Sequence, residues 1–96
     1  MIKLRDFDAS EFLHNDEEMA EYLTAAIEEN NPQVFLAAIA DVAKAKGMTE
    51  VAKQTGLGRE SLYKALKPGA KPRFETIQKV LDCLGIRVKF EVTNQI

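Results

Sequence analysis

The chain has 96 residues, of which 46% are hydrophobic and 29% charged, and this balance predicts one soluble globular domain. No apolar run approaches the roughly 20 residues needed to cross a bilayer, and the charged start at residues 1–6 is unlike a signal peptide, so we expect a cytoplasmic protein without membrane contact. With one cysteine (Cys83) and one histidine (His14), neither an intrachain disulfide nor a structural zinc site is possible, and no cofactor is expected.

The net charge of −2 conceals an uneven distribution. Residues 1–43 carry two basic and ten acidic side chains, whereas residues 44–73 carry eight basic and two acidic ones. Residues 74–96 carry three of each kind. A basic block within an acidic chain is typical of a local nucleic-acid-binding surface, so the total charge does not argue against DNA as a partner.

The N-terminal part predicts a short strand followed by an amphipathic helix. Residues 2–7 alternate apolar and charged side chains, which favours a strand or an extended arm. Asn15 or Asp16 can cap the helix, and apolar residues then recur at spacings of three and four over residues 16–29. The opposite face of this helix is rich in glutamate.

Three further helices are predicted before the chain reaches a loop. The second helix covers residues 32–46, because Asn31 suits its cap, Pro32 its first position and Gly47 its end. Two short helices follow, the first from residue 48 or 49 to residue 55 and the second over residues 59–66, and glycines separate them. Proline and glycine then predict a loop at residues 68–72.

The C-terminal part predicts a helix and a strand. The apolar spacing favours a fifth helix over residues 74–84, and Gly85 ends it. Residues 86–93 alternate apolar and polar side chains, as a half-buried strand does. This strand can pair with the N-terminal strand or across a dimer, and the sequence leaves both open. The expected architecture is therefore mainly α, with five helices and short N- and C-terminal β-strands.

Residues 48–66 carry the pattern of a helix-turn-helix motif. Two helices that cross closely need a small residue at the contact, and Ala52 supplies it. The turn needs a residue that tolerates positive φ, and Gly56 follows four positions later. Apolar residues at the positions that hold the pair on the domain complete the pattern. They are Val51, Leu57, Leu62 and Leu66.

If Leu62 and Leu66 face inward, helical geometry turns another set of side chains outward. These are the predicted base-contacting residues Arg59, Glu60, Tyr63 and Lys64. Arg59 suits bidentate contact with guanine, although it can instead contact phosphate. Glu60 can accept from a cytosine amino group, orient Arg59, or simply favour the helix start. Tyr63 can contact a thymine methyl group or a phosphate, or pack on the domain.

A second set of polar residues surrounds this surface and predicts phosphate contacts. Thr49 starts the first helix of the pair, so its hydroxyl and the nearby N–H groups suit a phosphate. The cluster, rather than any one side chain, indicates the role. The other members are Lys46, Gln54, Lys67, Lys71 and Arg73.

The stretch at residues 46–66 resembles the helix-turn-helix of a family of addiction-module antidote proteins within the Cro/repressor-like superfamily. The resemblance also covers residues 7–8, 22–23, 34–43, 72–76 and 80–85. It implies a five-helix lambda-repressor-like DNA-binding domain that is dimeric on a palindromic operator. It further implies a RelE/ParE-like toxin as partner and repression of the chain's own operon. On this basis residues 1–30 form an extension with an acidic helix, 31–85 a repressor-like core and 86–96 a C-terminal strand.

Three interpretations of function follow. The first is a DNA-binding antitoxin, whose acidic segment at residues 6–29 faces a basic toxin or is an ordinary solvated helix face. The second is a transcriptional regulator without a toxin, and the third is a protein-interaction module without DNA contact. An enzyme is not expected, because no nucleophile–base pair, phosphate-binding loop or metal cluster is present in the sequence. No small-molecule ligand is expected either.

Overall fold

The computed structural model describes residues 8–93, and a 3-10 turn at Ala9–Phe12 precedes five α-helices in this part of the chain. We label them in chain order: α1 Asp16–Ile27, α2 Pro32–Lys46, α3 Met48–Thr55, α4 Arg59–Leu66 and α5 Phe74–Cys83. The mainly helical class and the five helices predicted from the sequence are confirmed for these residues. None of the helices within residues 8–93 combines the length and apolar character needed to cross a membrane.

Local capping chemistry explains where the first two helices begin. The side chain of Asn15 accepts a hydrogen bond from the N–H of Glu18 at 2.8 Å, and Asn31 accepts one from Gln33 at 2.9 Å. Helix α1 ends at Ile27, two residues earlier than the predicted 16–29, because the chain turns and Asn30 adopts a left-handed conformation with φ 58°.

The strand predicted at residues 86–93 does not form within the described part of the chain. These residues have no regular secondary structure, and the backbone of 87–93 makes no hydrogen bond to another described residue. Alternation determines which side chains share a face, but a strand also needs a paired neighbour. The strand predicted at residues 2–7 lies outside the described residues.

Helix α2 lies at the centre of the packing. It contacts α1, α3, α4 and the 3-10 turn, and α3 in turn packs against α5. The largest side chains that are almost completely removed from solvent come from four of the helices and the residue that follows α5. They are Ile39, Val42, Val51, Leu62, Val80 and Leu84. This core fixes α3 and α4, and with them the basic segment, on a rigid support.

Candidate nucleic-acid interface

Helices α3 and α4 are joined by a turn of three residues. Gly56 ends α3 in the left-handed conformation, with φ 76°, and its N–H donates to the carbonyl oxygens of Ala52 and Lys53 at 3.1 and 3.3 Å. Leu57 is half-buried, and Gly58, with φ 79°, precedes α4. An L-residue is strained at these φ values, so glycine at both ends of the turn permits the sharp change of direction.

Helices α3 and α4 each have one side buried in the core and one side exposed to solvent. Val51, Ala52, Leu62 and Leu66 are buried, with Val51 and Leu62 completely covered. The four residues predicted to contact bases all lie on the exposed side of α4. They are Arg59, Glu60, Tyr63 and Lys64. The polar face of α4 is therefore exposed to solvent, while its two leucines pack against the rest of the domain.

Arg59 and Tyr63 form a pair on the exposed face of α4. The Arg59 guanidinium donates to the Tyr63 hydroxyl at 3.2 Å, and its Cζ lies 5.5 Å from the centre of the Tyr63 ring. The sequence interpretation did not predict this contact, although the spacing of four residues on one helix is the signal for it. The pair orients Arg59, which retains further N–H donors for another ligand.

The loop that follows α4 is held against the start of α2. The Gln33 side chain accepts from the N–H of Gly69 at 3.0 Å and donates to the carbonyl oxygen of Ala70 at 3.4 Å. Gly69 has φ 83°, and the loop covers the predicted residues 68–72. Sequence reasoning missed Gln33, since no local pattern links positions 36 residues apart. This anchor fixes the backbone on which Lys67 and Lys71 are carried.

The residues predicted to contact phosphate fall into two groups. Four of them are exposed and form no ion pair with another described residue. They are Thr49, Lys67, Lys71 and Arg73. The other two have partners in the chain: Lys46 Nζ lies 3.4 Å from Asp16 Oδ1, and Gln54 bonds to both Glu50 and Cys83.

Gln54 links α3 to α5 through its side-chain amide. Its Nε2 donates to Glu50 Oε2 at 2.6 Å, and its Oε1 accepts from Cys83 Sγ at 3.2 Å. Burial raises the pKa of the Cys83 thiol, which keeps it protonated and able to donate. The structure therefore gives Gln54 and Cys83 a clear packing role between the two helices.

The starts of α3, α4 and α5 differ from those of α1 and α2. These three helices follow Gly47, Gly58 and Arg73, and no side chain caps them. The first N–H groups of a helix have no partner within it, and together they favour an anion. All three uncapped starts belong to the basic segment or directly follow it, where cationic side chains add to the same attraction.

Besides the ion pair between Asp16 and Lys46, two polar pairs join the acidic N-terminal segment to the helical core. Asp8 binds Lys44 at 2.5 Å, and that contact lowers the pKa of Asp8 to about 2. Tyr22 on α1 donates to Asp41 on α2 at 2.6 Å. Burial, with this hydrogen bond adding to it, raises the pKa of Tyr22 to about 12. Both pairs bind the acidic segment to α2.

The acidic face of α1 is open to solvent. Its exposed glutamates are Glu17, Glu18 and Glu21, and the exposed Glu28 and Glu29 directly follow the helix. Glu18 also accepts from the N–H of His14 at 2.8 Å, so it helps to fix the start of the helix. Among the described residues, no three His, Cys, Asp or Glu side chains are grouped as a metal site would need.

These features define a small, mainly helical protein in which two short helices, joined by a glycine-bounded turn, carry an exposed cationic face. A family model described as "Probable addiction module antidote protein" matches residues 3–92, so the chain belongs to that family. The resemblance to the addiction-module antidote family is thereby confirmed, and the family description indicates the role of an antitoxin.

A curated relative from Haemophilus influenzae is similar to this chain over nearly its whole length. It is 37% identical over 89 residues, which cover 93% of this chain and 92% of the relative, and it is described as "Uncharacterized protein". No solved structure matches the chain.

Proposed function

We propose that this protein is a sequence-specific DNA-binding antitoxin that neutralises a partner toxin and represses its own operon. The DNA-binding part rests on one observation, which is that α4 has a buried apolar face and an exposed polar face. Leu62 and Leu66 are buried, while Arg59, Tyr63 and Lys64 are exposed. A helix held in this way can enter the major groove of B-DNA without losing its packing. Membership in the antidote family supports the antitoxin part.

In the proposed complex, the first turn of α4 faces the base edges. Arg59 forms a bidentate contact with guanine, and Tyr63 holds the guanidinium in position from one turn further along the helix. Glu60 accepts from a cytosine amino group, and Lys64 extends the same face. Each protomer contacts only a few base pairs, so we propose a two-fold dimer on a palindromic operator with half-sites about one helical turn apart.

Phosphate contacts come from around the helix pair. The exposed set of Thr49, Lys67, Lys71 and Arg73 has no competing ion pair among the described residues, so these four are the principal candidates. Lys46 and Gln54 are assigned a lesser part, since each already binds within the chain. The uncapped starts of α3 and α4 add N–H donors beside these side chains.

The proposed toxin is of the RelE/ParE-like class and binds the acidic face of α1. Glutamates at five exposed positions give this face a charge that suits a basic partner. Charge reversal at Glu17, Glu21, Glu28 and Glu29 should abolish capture of the co-expressed product of the neighbouring gene. Reversal of Glu75 on α5 is the matched control and should leave capture intact. Capture that survives both would place the toxin elsewhere.

A mobility-shift titration with the DNA upstream of the chain's own gene tests the DNA-binding part. We expect a discrete complex on this DNA and weaker binding to a scrambled duplex of equal length. Affinity should fall steeply with salt, by about 0.9 in the log–log slope for each neutralised phosphate. Binding that is equal on both duplexes would refute sequence specificity, and binding that is insensitive to salt would refute the phosphate contacts.

A further inference from the structure

The segment after α5 has an apolar face that nothing in the described chain covers. Phe90 and Val92 are 93% and 96% exposed, and Val88 is 44% exposed. The last backbone hydrogen bond of the segment joins the Ile86 N–H to the Leu81 carbonyl oxygen at 3.0 Å. Beyond it, residues 87–93 present N–H and C=O groups that bond to no other described residue. Such a row is a template for pairing with another strand.

A groove runs along this segment and supplies a surface to support a paired strand. It has a volume of about 590 Å³ and lies between residues 86–91 and α1. Its apolar wall includes Leu23 and Ile27 of α1 and Phe35 of α2. A two-stranded ribbon alone is marginally stable in water, so a neighbouring apolar groove is what such a ribbon requires.

We propose that residues 87–93 pair in antiparallel fashion with the same segment of a second copy of this chain, with the two-fold axis at Phe90. The inference rests on the proposed function, because a palindromic operator calls for a two-fold dimer. The choice of a second copy rests on charge. In a symmetric pair the apolar side chains face each other only if the axis passes through a residue.

The two-fold axis can pass through Val88, Lys89 or Phe90 near the middle of the segment. Only one of these positions avoids placing like charges opposite each other. An axis at Val88 places Arg87 opposite Lys89, and an axis at Lys89 places that lysine opposite itself. An axis at Phe90 places Lys89 opposite Glu91 on both sides of the ribbon. It also places Val88 opposite Val92 and the two Phe90 rings opposite each other. At every position from 88 to 92, this pairing therefore places opposite charges together and apolar side chains together.

Disulfide trapping tests this register in the full chain. Single cysteines replace Val88, Lys89 or Phe90 in a Cys83→Ser background, which retains a donor for Gln54. Directly opposite residues have Cα atoms about 4.5–5.5 Å apart, which is within the range of a disulfide. We expect mild oxidation to link two chains efficiently at Phe90→Cys and poorly at Val88→Cys and Lys89→Cys. Linkage that is best at 88 or 89, or equal at all three, overturns the register.

A charge swap tests the same register without cysteine. Lys89→Glu and Glu91→Lys each create like-charge opposition twice per dimer, so each should weaken the dimer about tenfold in sedimentation equilibrium. The double variant restores both pairs and should restore the dimer. A double variant as weak as the single ones would overturn the register.

Phe90→Asp separates this inference from the proposed function. The exposed side chain contributes nothing to the fold of one protomer, so the thermal midpoint at low protein concentration should not change. We expect a monomer that binds the operator at least tenfold more weakly than the wild type. A Phe90→Asp chain that remains dimeric overturns the inference and leaves DNA binding standing. A wild-type chain that is monomeric at every concentration also overturns it and assigns the segment to residues 2–7 or to the toxin.

Discussion

Replacing Arg59 by alanine should weaken operator binding mainly at one base pair. The guanidinium is exposed, stacks 5.5 Å from the centre of the Tyr63 ring and uses one N–H for the tyrosine hydroxyl, so its remaining donors can bind guanine. Loss of a bidentate contact to guanine costs about 1–3 kcal/mol, or roughly 5- to 150-fold in Kd. Because the side chain is exposed, the free energy of unfolding should change by no more than about 0.5 kcal/mol.

Fluorescence anisotropy with the operator and a panel of single-base-pair variants measures this effect. Wild-type protein should discriminate strongly at one position, and Arg59→Ala should bind all bases there about equally. Arg59→Lys retains the charge but lacks the planar fork, so it should recover affinity without recovering discrimination. Tyr63→Phe retains the ring and should lose less than Arg59→Ala. A uniform loss over the whole panel would assign Arg59 to phosphate, and no loss would remove it from the interface.

Three further variants test the interface, the core and the contact between α1 and α2. Lys67→Ala should weaken binding to all sequences alike and reduce the salt slope by about 0.9, whereas Lys79→Ala should change neither. Leu62→Ala removes a completely buried side chain, so it should lower the free energy of unfolding by about 2–5 kcal/mol in thermal or urea unfolding. The exposed control Lys64→Ala should lower it by about 0.5 kcal/mol. Equal losses in the two variants would refute the packing of Leu62. The pKa of Tyr22 is raised from 10.0 to about 12, so the stability it contributes is present below pH 10 and is lost as pH rises to 12. The melting midpoint should therefore fall more steeply over that range in the wild type than in Tyr22→Phe. Parallel curves would contradict the raised pKa that burial and the hydrogen bond to Asp41 give Tyr22.

Helix positions were predictable because their determinants are local. An Asn caps α1, an Asn-Pro pair starts α2, and glycine ends both α2 and α3, so the predicted bounds of α2, α3 and α4 agree with the structure. The C-terminal ends of α1 and α5 differ by two residues and one residue, because several turn conformations can end a helix and sequence does not choose between them.

The side-chain partners of the site were harder to predict. The pairs Arg59–Tyr63 and Glu50–Gln54 each lie on one helix at the recognisable spacing of four residues. Gln33, Lys46 and Gln54 each bind residues about 30 positions away or more, and those contacts exist only after the helices pack. The same limit applies to residues 86–93, because an alternating pattern defines two faces and leaves the pairing partner undefined.

The ion pairs of α2 also determine how strongly the basic segment can attract DNA. Of the eight basic residues in 44–73, Lys44 and Lys46 pair with Asp8 and Asp16, while the other six have no carboxylate partner among the described residues. Exposed ion pairs are weak, so phosphate can compete for these two lysines. However, a phosphate that binds Lys46 leaves the Asp16 carboxylate unpaired beside the DNA. The net gain in binding free energy is therefore small. The salt slope per protomer should therefore be no steeper than about −5.4, against the roughly −7.2 of eight free cations. Asp16→Asn should make that slope steeper, and an unchanged slope would mean that Lys46 takes no part in binding.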